Sequence, residues 1–378
     1  MVMIMKKIVK LWDWGEFSRF VDQPKHTILG LMSGTSADGL DIANVTFEFN
    51  DDNLSFYVID AKTIPYDSSL QKRIVETYNK ERSNVEHVTS FNFELARTHV
   101  DMIKSLNWRY DAISYHGQTV YHMPEVGSTL QIGEADVLAV ELGRPVIYDF
   151  RKKDMVLGGQ GAPISAYFDS VFLLESSECA VLNIGGISNI TAYDVSGNLI
   201  AFDTGPGNCL IDLVCQRYFG KAYDESGSIS SQGQIDESLL NALLYKSESY
   251  ILQAPPKSTG REIYNEEFLN LSLSASEINI LRTMVRFTAE TVVRNLRLHL
   301  PSVRKLIVVG GGAYNKTLIS DISEMGYEVK IPERWLIDFR EAIAIALLGE
   351  MFLRGVAHKQ IVTGAQRTSV LGKLALPK

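Results

Sequence analysis

Residues 26–49 read HTILGLMSGTSADGLDIANVTFEF, and residues 180–193 read AVLNIGGISNITAY. In both, a short apolar run stops at a glycine turn and an apolar–polar alternation resumes. That is the pattern of two strands joined by a hairpin. A third strand-like run follows each pair, at 55–64 and at 199–202, and helical spacing follows in turn, at 68–78 and 85–106 and at 207–219 and 236–245. The same unit is therefore written twice: strands first, helices after. Outside these stretches, 112–115 reads as a strand leading into a polar loop, and 145–150 as another. A helix over 275–300 starts at a capping box made by Ser274 and Glu277 and ends at Pro301. Residues 305–309 form a buried strand that runs into Gly310-Gly311-Gly312, a helix starts near Asn315, and an amphipathic helix covers 339–352.

This pattern predicts an α/β fold of two domains facing each other, with ligand held at the strand ends between them. The expected division is an N-terminal arm at 1–26, a first domain at 27–148 plus 361–378, and a second at 149–360. Composition agrees with a globular chain: of 378 residues, 46% are hydrophobic and 22% charged. The net charge of −8 disfavours non-specific binding to nucleic acid. No apolar run approaches the length of a membrane span. Three cysteines, Cys179, Cys209 and Cys215, offer no disulfide framework and no CxxC pair, which points to a reducing cytoplasm.

Three glycine turns follow strand-like runs: Ser33 to Asp41, Asp203 to Asn208, and Gly310 to Gly312. Glycine lets backbone N–H groups approach an anion, and the Thr35 and Ser36 hydroxyls add donors. The last two turns also lead into helix N-termini, which favours phosphate. No GxxxxGK[ST] and no GxGxxG is present, so neither a P-loop nor a dinucleotide fold is expected.

Residues 29–41, LGLMSGTSADGLD, resemble the opening signature of the anhydro-N-acetylmuramic acid kinases. The resemblance continues through His116-Gly117-Gln118-Thr119, Leu130 to Gly133, Asp149-Phe150-Arg151, Asp154, Gly158 to Pro163, Leu182 to Gly186, Phe202 to Asn208, Pro256 to Glu262 and the triple glycine. It is collinear from about residue 28 to the C-terminus. Ala37 stands where the family usually has Leu, and Lys153 where Arg is common. The resemblance implies a two-domain actin-like ATPase (sugar-kinase) fold with an interdomain cleft. It also implies ATP- and water-dependent conversion of 1,6-anhydro-N-acetylmuramic acid to N-acetylmuramic acid 6-phosphate, in peptidoglycan recycling.

Such chemistry needs a carboxylate to take a proton from water, and Asp203 is the choice, with Asp149 and Asp154 as rivals. ATP contacts are expected at Gly34, Thr35, Ser36, Ala37, Asp38, Gly39, Leu40, Asp41, Gly205, Gly207, Asn208, Gly310, Gly311 and Gly312. Sugar contacts are expected at His116, Gln118, Asp149, Arg151, Lys153 and Glu341. Lys257, Ser258, Thr259 and Arg261 read as a loop near the nucleotide or the cleft. No protein cage for a metal is expected; Mg²⁺ would arrive with ATP, near Asp38 and Asp41. The partners expected are the small sugar and ATP, without nucleic acid or membrane, with a homodimer as the oligomeric option. Two other readings compete: a kinase of another sugar or polyol, and a non-sugar actin- or chaperone-like ATPase.

Overall fold

The computed structural model describes residues 14–34, 36–50, 53–79, 83–269, 275–357 and 361–378. The chain divides into two compact units, Met1–Ser165 with Phe339–Lys378, and Ala166–Asp338.

After a helix, Trp14–Val21, the first unit holds β1 (Lys25–Ser33), β2 (Gly39–Asn50) and β3 (Asn53–Pro65), an antiparallel meander. Then come β4 (Ala112–Met123), β5 (Ser128–Ile132) and β6 (Val146–Tyr148). The second unit holds β7 (Cys179–Ile184), β8 (Ile187–Tyr193), β9 (Leu199–Pro206), β10 (Lys305–Val309) and β11 (Glu328–Lys330). A last strand, β12 (Lys373–Ala375), returns to the first sheet beside β6.

Among the described residues the two sheets share one order. The first runs β3-β2-β1-β4-β6 before β12, and the second runs β9-β8-β7-β10-β11. In both, the first strand of the meander pairs parallel with the strand that follows the helices. The duplication legible in the sequence is thus a duplication of topology in an α/β fold. By that order the β7–β8 turn, Gly185-Gly186, occupies the place in its sheet that the Gly34 turn occupies in the other.

Each sheet is covered by helices whose apolar faces follow the helical period. In the first unit, Phe91, Leu95 and Ile103 of the helix Val85–Leu106 meet Leu29, Leu31, Ile42 and Ile113. In the second, Leu281, Val285, Val292 and Leu296 of the helix Glu277–His299 join Leu182, Ile190 and Val308. That helix starts after Ser276, two residues later than the predicted cap, and the Ser276 side chain makes no capping hydrogen bond; Ser274 lies outside the described residues. The later start leaves the buried face of the helix where the periodicity placed it.

Two expectations change. The polar run His116–Thr119 is not a loop: β4 continues through it to Met123 and pairs with β5. The domain boundary also differs from the expected 149–360, since 149–165 and 339–360 belong with the first unit. The reason is close packing. A Cβ on Gly30 would stand 2.9 Å from the Ala346 side chain and inside contact range of the Ala342 carbonyl, and one on Gly349 would stand 2.7 Å from Ser114. Small residues at 30, 342, 346 and 349 let the helix Arg334–Leu353 lie directly on β1 and β4.

Candidate active site

In the first unit, the turn between β1 and β2 is closed by the Ala37 N–H donating to the Gly34 carbonyl at 3.1 Å. Ala37 holds φ at +52°, and both Ala37 and Leu40 bury their side chains in the core. Ser36 Oγ donates to Asp38 Oδ1 at 2.9 Å, and Thr63 Oγ1 donates to Asp41 Oδ1 at 2.5 Å. Thr35 lies outside the described residues.

The expected nucleotide glycines divide by what a side chain would meet. A Cβ on Gly39 would stand 2.7 Å from the Ile64 carbonyl, and one on Gly310, at φ +78°, 2.8 Å from the Ile184 carbonyl. Gly205 sits at φ +134°, against Thr291. Gly207 and Gly312 leave no room beside the Gly185 carbonyl and the Ile184 side chain. These five are required by the fold itself. Gly34 and Gly311 are not: the nearest atoms would be Ser36 Oγ at 3.6 Å and Asn208 Nδ2 at 3.7 Å, ordinary contacts, and neither has a left-handed φ. Gly185 is similarly open, with its nearest atom at 3.5 Å. A glycine without an internal reason is where a ligand would need the space.

His116 and Gln118 lie on β4, where the parallel pairing with β1 sets Gln118 opposite Ser33. Gln118 Nε2 donates to the Gly34 carbonyl at 3.0 Å, so one expected sugar residue is tied to the expected phosphate turn. His116 Nδ1 faces the Gly117 carbonyl at 2.8 Å, which can only accept, so the proton sits on Nδ1. Nε2 then accepts from Arg151 Nε at 2.9 Å, while Arg151 Nη1 donates to the Gly161 carbonyl at 2.6 Å. Burial, with the nearby Arg151 charge, pushes His116 down to about 3, so it stays neutral. Burial also lowers Arg151, to about 10, against the pull of Glu341 and Asp154.

The rival carboxylates are occupied. Asp154 is buried and accepts from the Gly161 N–H at 2.7 Å and Thr363 Oγ1 at 2.7 Å, fastening the glycine loop 158–161. Asp149, at φ +59°, pairs through Oδ2 with Lys373 at 2.6 Å and Lys152 at 3.2 Å, while its buried Oδ1 has no hydrogen-bond partner among the described residues. Lys153 is exposed and donates to the Val370 carbonyl at 2.8 Å. Glu341 is exposed on its helix, near enough to raise Arg151.

In the second unit, Asp203 lies within β9 rather than at its end, opposite Asn189. Its Oδ2 accepts the Thr259 N–H at 2.9 Å, its own N–H donates to the Lys257 carbonyl at 3.1 Å, and its carbonyl accepts Tyr250 OH at 2.8 Å. Burial pushes the carboxyl up to about 6, opposed by the Thr259 N–H and helped by the charge of Glu262. The loop at 257–259 is held from behind. Lys257 Nζ donates to the Tyr250 and Ile251 carbonyls at 2.9 and 3.0 Å, where it caps the C-terminal end of the helix Glu237–Leu252. A polar stripe on the buried helix Glu277–His299 supports the strand end. Thr288 Oγ1 donates to the Gly207 carbonyl at 3.0 Å and Asn295 Nδ2 to the Thr204 carbonyl at 2.9 Å. Three buried polar residues at 288, 291 and 295 on one face of an apolar helix were the available signal for it.

The second glycine turn differs from its expected role. The Gly207 and Asn208 N–H groups do not point to open space; they donate to the Gly186 and Gly185 carbonyls at 2.9 and 2.8 Å. What remains open beside Asn208 is a cavity of about 550 Å³, within the range of small-ligand sites. Asn208, Asp212, Tyr223, Gly311, Tyr314 and Arg334 line it. The Arg334 guanidinium lies 5.7 Å from the centre of the Tyr314 ring, and Tyr314 OH donates to Asp338 at 2.7 Å. Burial pushes Asp212 up to about 6, against the pull of Arg261. Gly185, Asp212, Tyr314 and Arg334 were missed in the sequence. The hairpin repeat and the motif Leu182 to Gly186 were the available signals for Gly185.

The family model described as Anhydro-N-acetylmuramic acid kinase matches residues 26–377. The chain belongs to the anhydro-N-acetylmuramic acid kinase family. The anhydro-N-acetylmuramic acid kinase of Bacillus cereus (strain Q1) is 37% identical over 380 residues, covering 93% of this chain and 99% of that one. That of Bacillus thuringiensis subsp. konkukian (strain 97-27) matches to the same extent. A solved structure of component A of the (R)-2-hydroxyglutaryl-CoA dehydratase from Acidaminococcus fermentans aligns over 87% of this chain and 99% of its own, at 13% identity and a TM-score of 0.43. As a kinase of the anhydro-N-acetylmuramic acid family, the chain acts in amino-sugar metabolism with ATP as phosphoryl donor. Among the described residues no helix is long and apolar enough to cross a membrane.

Proposed function

We propose that the chain couples hydrolysis of the 1,6-anhydro bridge to phosphorylation of the freed oxygen, with Asp203 as the base. Asp203 carries the proposal: a buried carboxylate near pKa 6, one oxygen fixed by the Thr259 N–H, is ionised at neutral pH yet basic enough to accept a proton. Water adds its oxygen to the anomeric carbon and gives its proton to Asp203. The bond from that carbon to the bridging oxygen breaks, and the freed oxygen takes the γ-phosphoryl group of ATP, leaving ADP.

In the second unit the open glycines Gly185 and Gly311 let backbone approach the nucleotide, and the cavity beside Asn208 and Tyr314 has room for its nucleoside; in the first unit Gly34 leaves backbone open in the same way. Phosphoryl transfer rests mostly on such positioning and on electrostatics. Arg151, aimed by His116 and the Gly161 carbonyl, is a fixed cation suited to the lactyl carboxylate of the sugar. Gln118 adds an amide beside the Gly34 turn. The Mg²⁺ of the reaction would arrive with ATP. Asp38 and Asp41 would hold the waters of that Mg²⁺, which neutralises phosphate charge when bound. The three buried free cysteines support a cytoplasmic setting, and a homodimer is the assembly to test by light scattering.

The test is incubation of the protein with ATP, Mg²⁺ and the anhydro sugar in ¹⁸O-water. The expected product is the 6-phosphate with solvent oxygen at the anomeric carbon, read by mass before ring-opening exchange. ATP hydrolysis that does not depend on the sugar would favour the non-sugar ATPase reading instead.

A further inference from the structure

Behind the Gly34 turn lies a buried chain of hydrogen bonds that the reaction above does not use. Tyr115 OH stands 2.7 Å from His99 Nδ1, and His99 Nε2 stands 2.7 Å from Tyr66 OH. Tyr66 OH stands 2.9 Å from Ser33 Oγ, which donates in turn to Gln118 Oε1. Gln118 Nε2 donates to the Gly34 carbonyl at 3.0 Å and to Tyr78 OH at 2.8 Å. His99 and Gln118 are fully buried, and Ser33, Tyr115 and Tyr66 nearly so. The chain is built into the fold. Gly133, at φ +108°, has no room for a Cβ because the Tyr115 hydroxyl fills that place.

One fixed end determines every proton in it. The Gly34 carbonyl can only accept, so the nitrogen of the Gln118 amide faces it and Oε1 faces Ser33. Oε1 can only accept, so Ser33 donates to it and must accept from Tyr66. Tyr66, having donated, must accept from His99, which places the histidine proton on Nε2. A neutral imidazole then has a bare Nδ1, which accepts from Tyr115. Burial keeps His99 neutral, pushing it down to about 3. Each hydroxyl is therefore used once as donor and the order runs in one direction, from Tyr115 to the turn.

We infer that His99 and Tyr66 are positioning residues for nucleotide binding, which fix the Gly34 carbonyl through Ser33 and Gln118. The inference rests on the reading that this turn holds ATP. Gly34 itself has no side chain, and among the described residues its carbonyl accepts two hydrogen bonds that shape the turn, from the Ala37 N–H and from Gln118. Tyr66 braces the turn a second time, its own N–H donating to the Asp38 carbonyl at 3.0 Å.

The test uses the full chain with ¹⁵N-labelled histidine. Imidazole nitrogen shifts of the wild type should report His99 as the Nε2–H tautomer; the Nδ1–H tautomer or a charged ring would overturn the inference whatever the variants do. Tyr66→Phe and Ser33→Ala interrupt the chain at separate points, and each should raise the KM for ATP roughly five- to tenfold with kcat changed less than about twofold. Gly34→Val separates the two ideas. If it weakens ATP binding while the folded Tyr66→Phe and Ser33→Ala do not, the brace is wrong and the site stands. If Gly34→Val also binds ATP normally, the reading of the turn itself fails.

Discussion

His116 accepts a hydrogen bond from Arg151 Nε through its Nε2 at 2.9 Å, with its Nδ1 proton already given to the Gly117 carbonyl. The histidine thus has neither a free lone pair nor a free proton for the sugar. It acts through Arg151. Replacing it by Phe should leave the guanidinium unaimed and raise the KM for the sugar about tenfold or more, as expected for a lost hydrogen bond to a charged group. Steady-state kinetics with each substrate varied would check this: an equal rise for ATP would contradict it. Arg151→Lys should be as damaging, since an ammonium cannot serve the His116 and Gly161 contacts in one plane.

The glycines give a prediction with two signs. Gly311→Val adds a side chain where the fold has space, so stability should hold while the KM for ATP rises. Gly207→Ala pushes a methyl into the Gly185 carbonyl and should cost about 1–3 kcal/mol of stability. Urea unfolding alongside ATP kinetics separates the two classes.

Asp203→Asn should lower kcat roughly 10²–10⁴-fold with little change in ATP affinity, because shape is kept and the base is lost. The carboxylate is a base only when ionised, so the wild-type kcat should fall as pH drops through about 6. Glu262 raises that value by its negative charge, so Glu262→Gln should move the acid limb to lower pH. A limb that stays in place would assign it to another group.

A buried cluster at the start of β1 gives a stability prediction. His26 Nδ1 and Arg354 Nε both lie 2.8 Å from Glu350, and neither His26 nor Glu350 is exposed. Glu350→Ala removes the buried carboxylate that accepts from Arg354 and should cost about 3–5 kcal/mol, measured as a lower urea midpoint.

The sequence by itself determined the repeated unit, because hairpins depend on local features: alternation with period two, a glycine at the turn, a following helical face. The strands at 26–32, 42–49, 180–184 and 305–309 all lie within β1, β2, β7 and β10. It also offered Asp203, Gly34 and Gly311 as candidate site residues, each in or beside a glycine turn. Partners far apart in the chain had no such local trace. Tertiary structure decided that 339–353 packs on the first sheet, since only the approach of Ala342 and Ala346 to Gly30 requires it. It decided that the polar run after Tyr115 stays a strand, because Ser33, Tyr78 and Arg151 satisfy side chains that sequence alone would send to solvent. It decided, too, that the Gly207 and Asn208 N–H groups are spent on Gly185 and Gly186. A buried polar group must find its partner across space, and the chain lists residues only along its length.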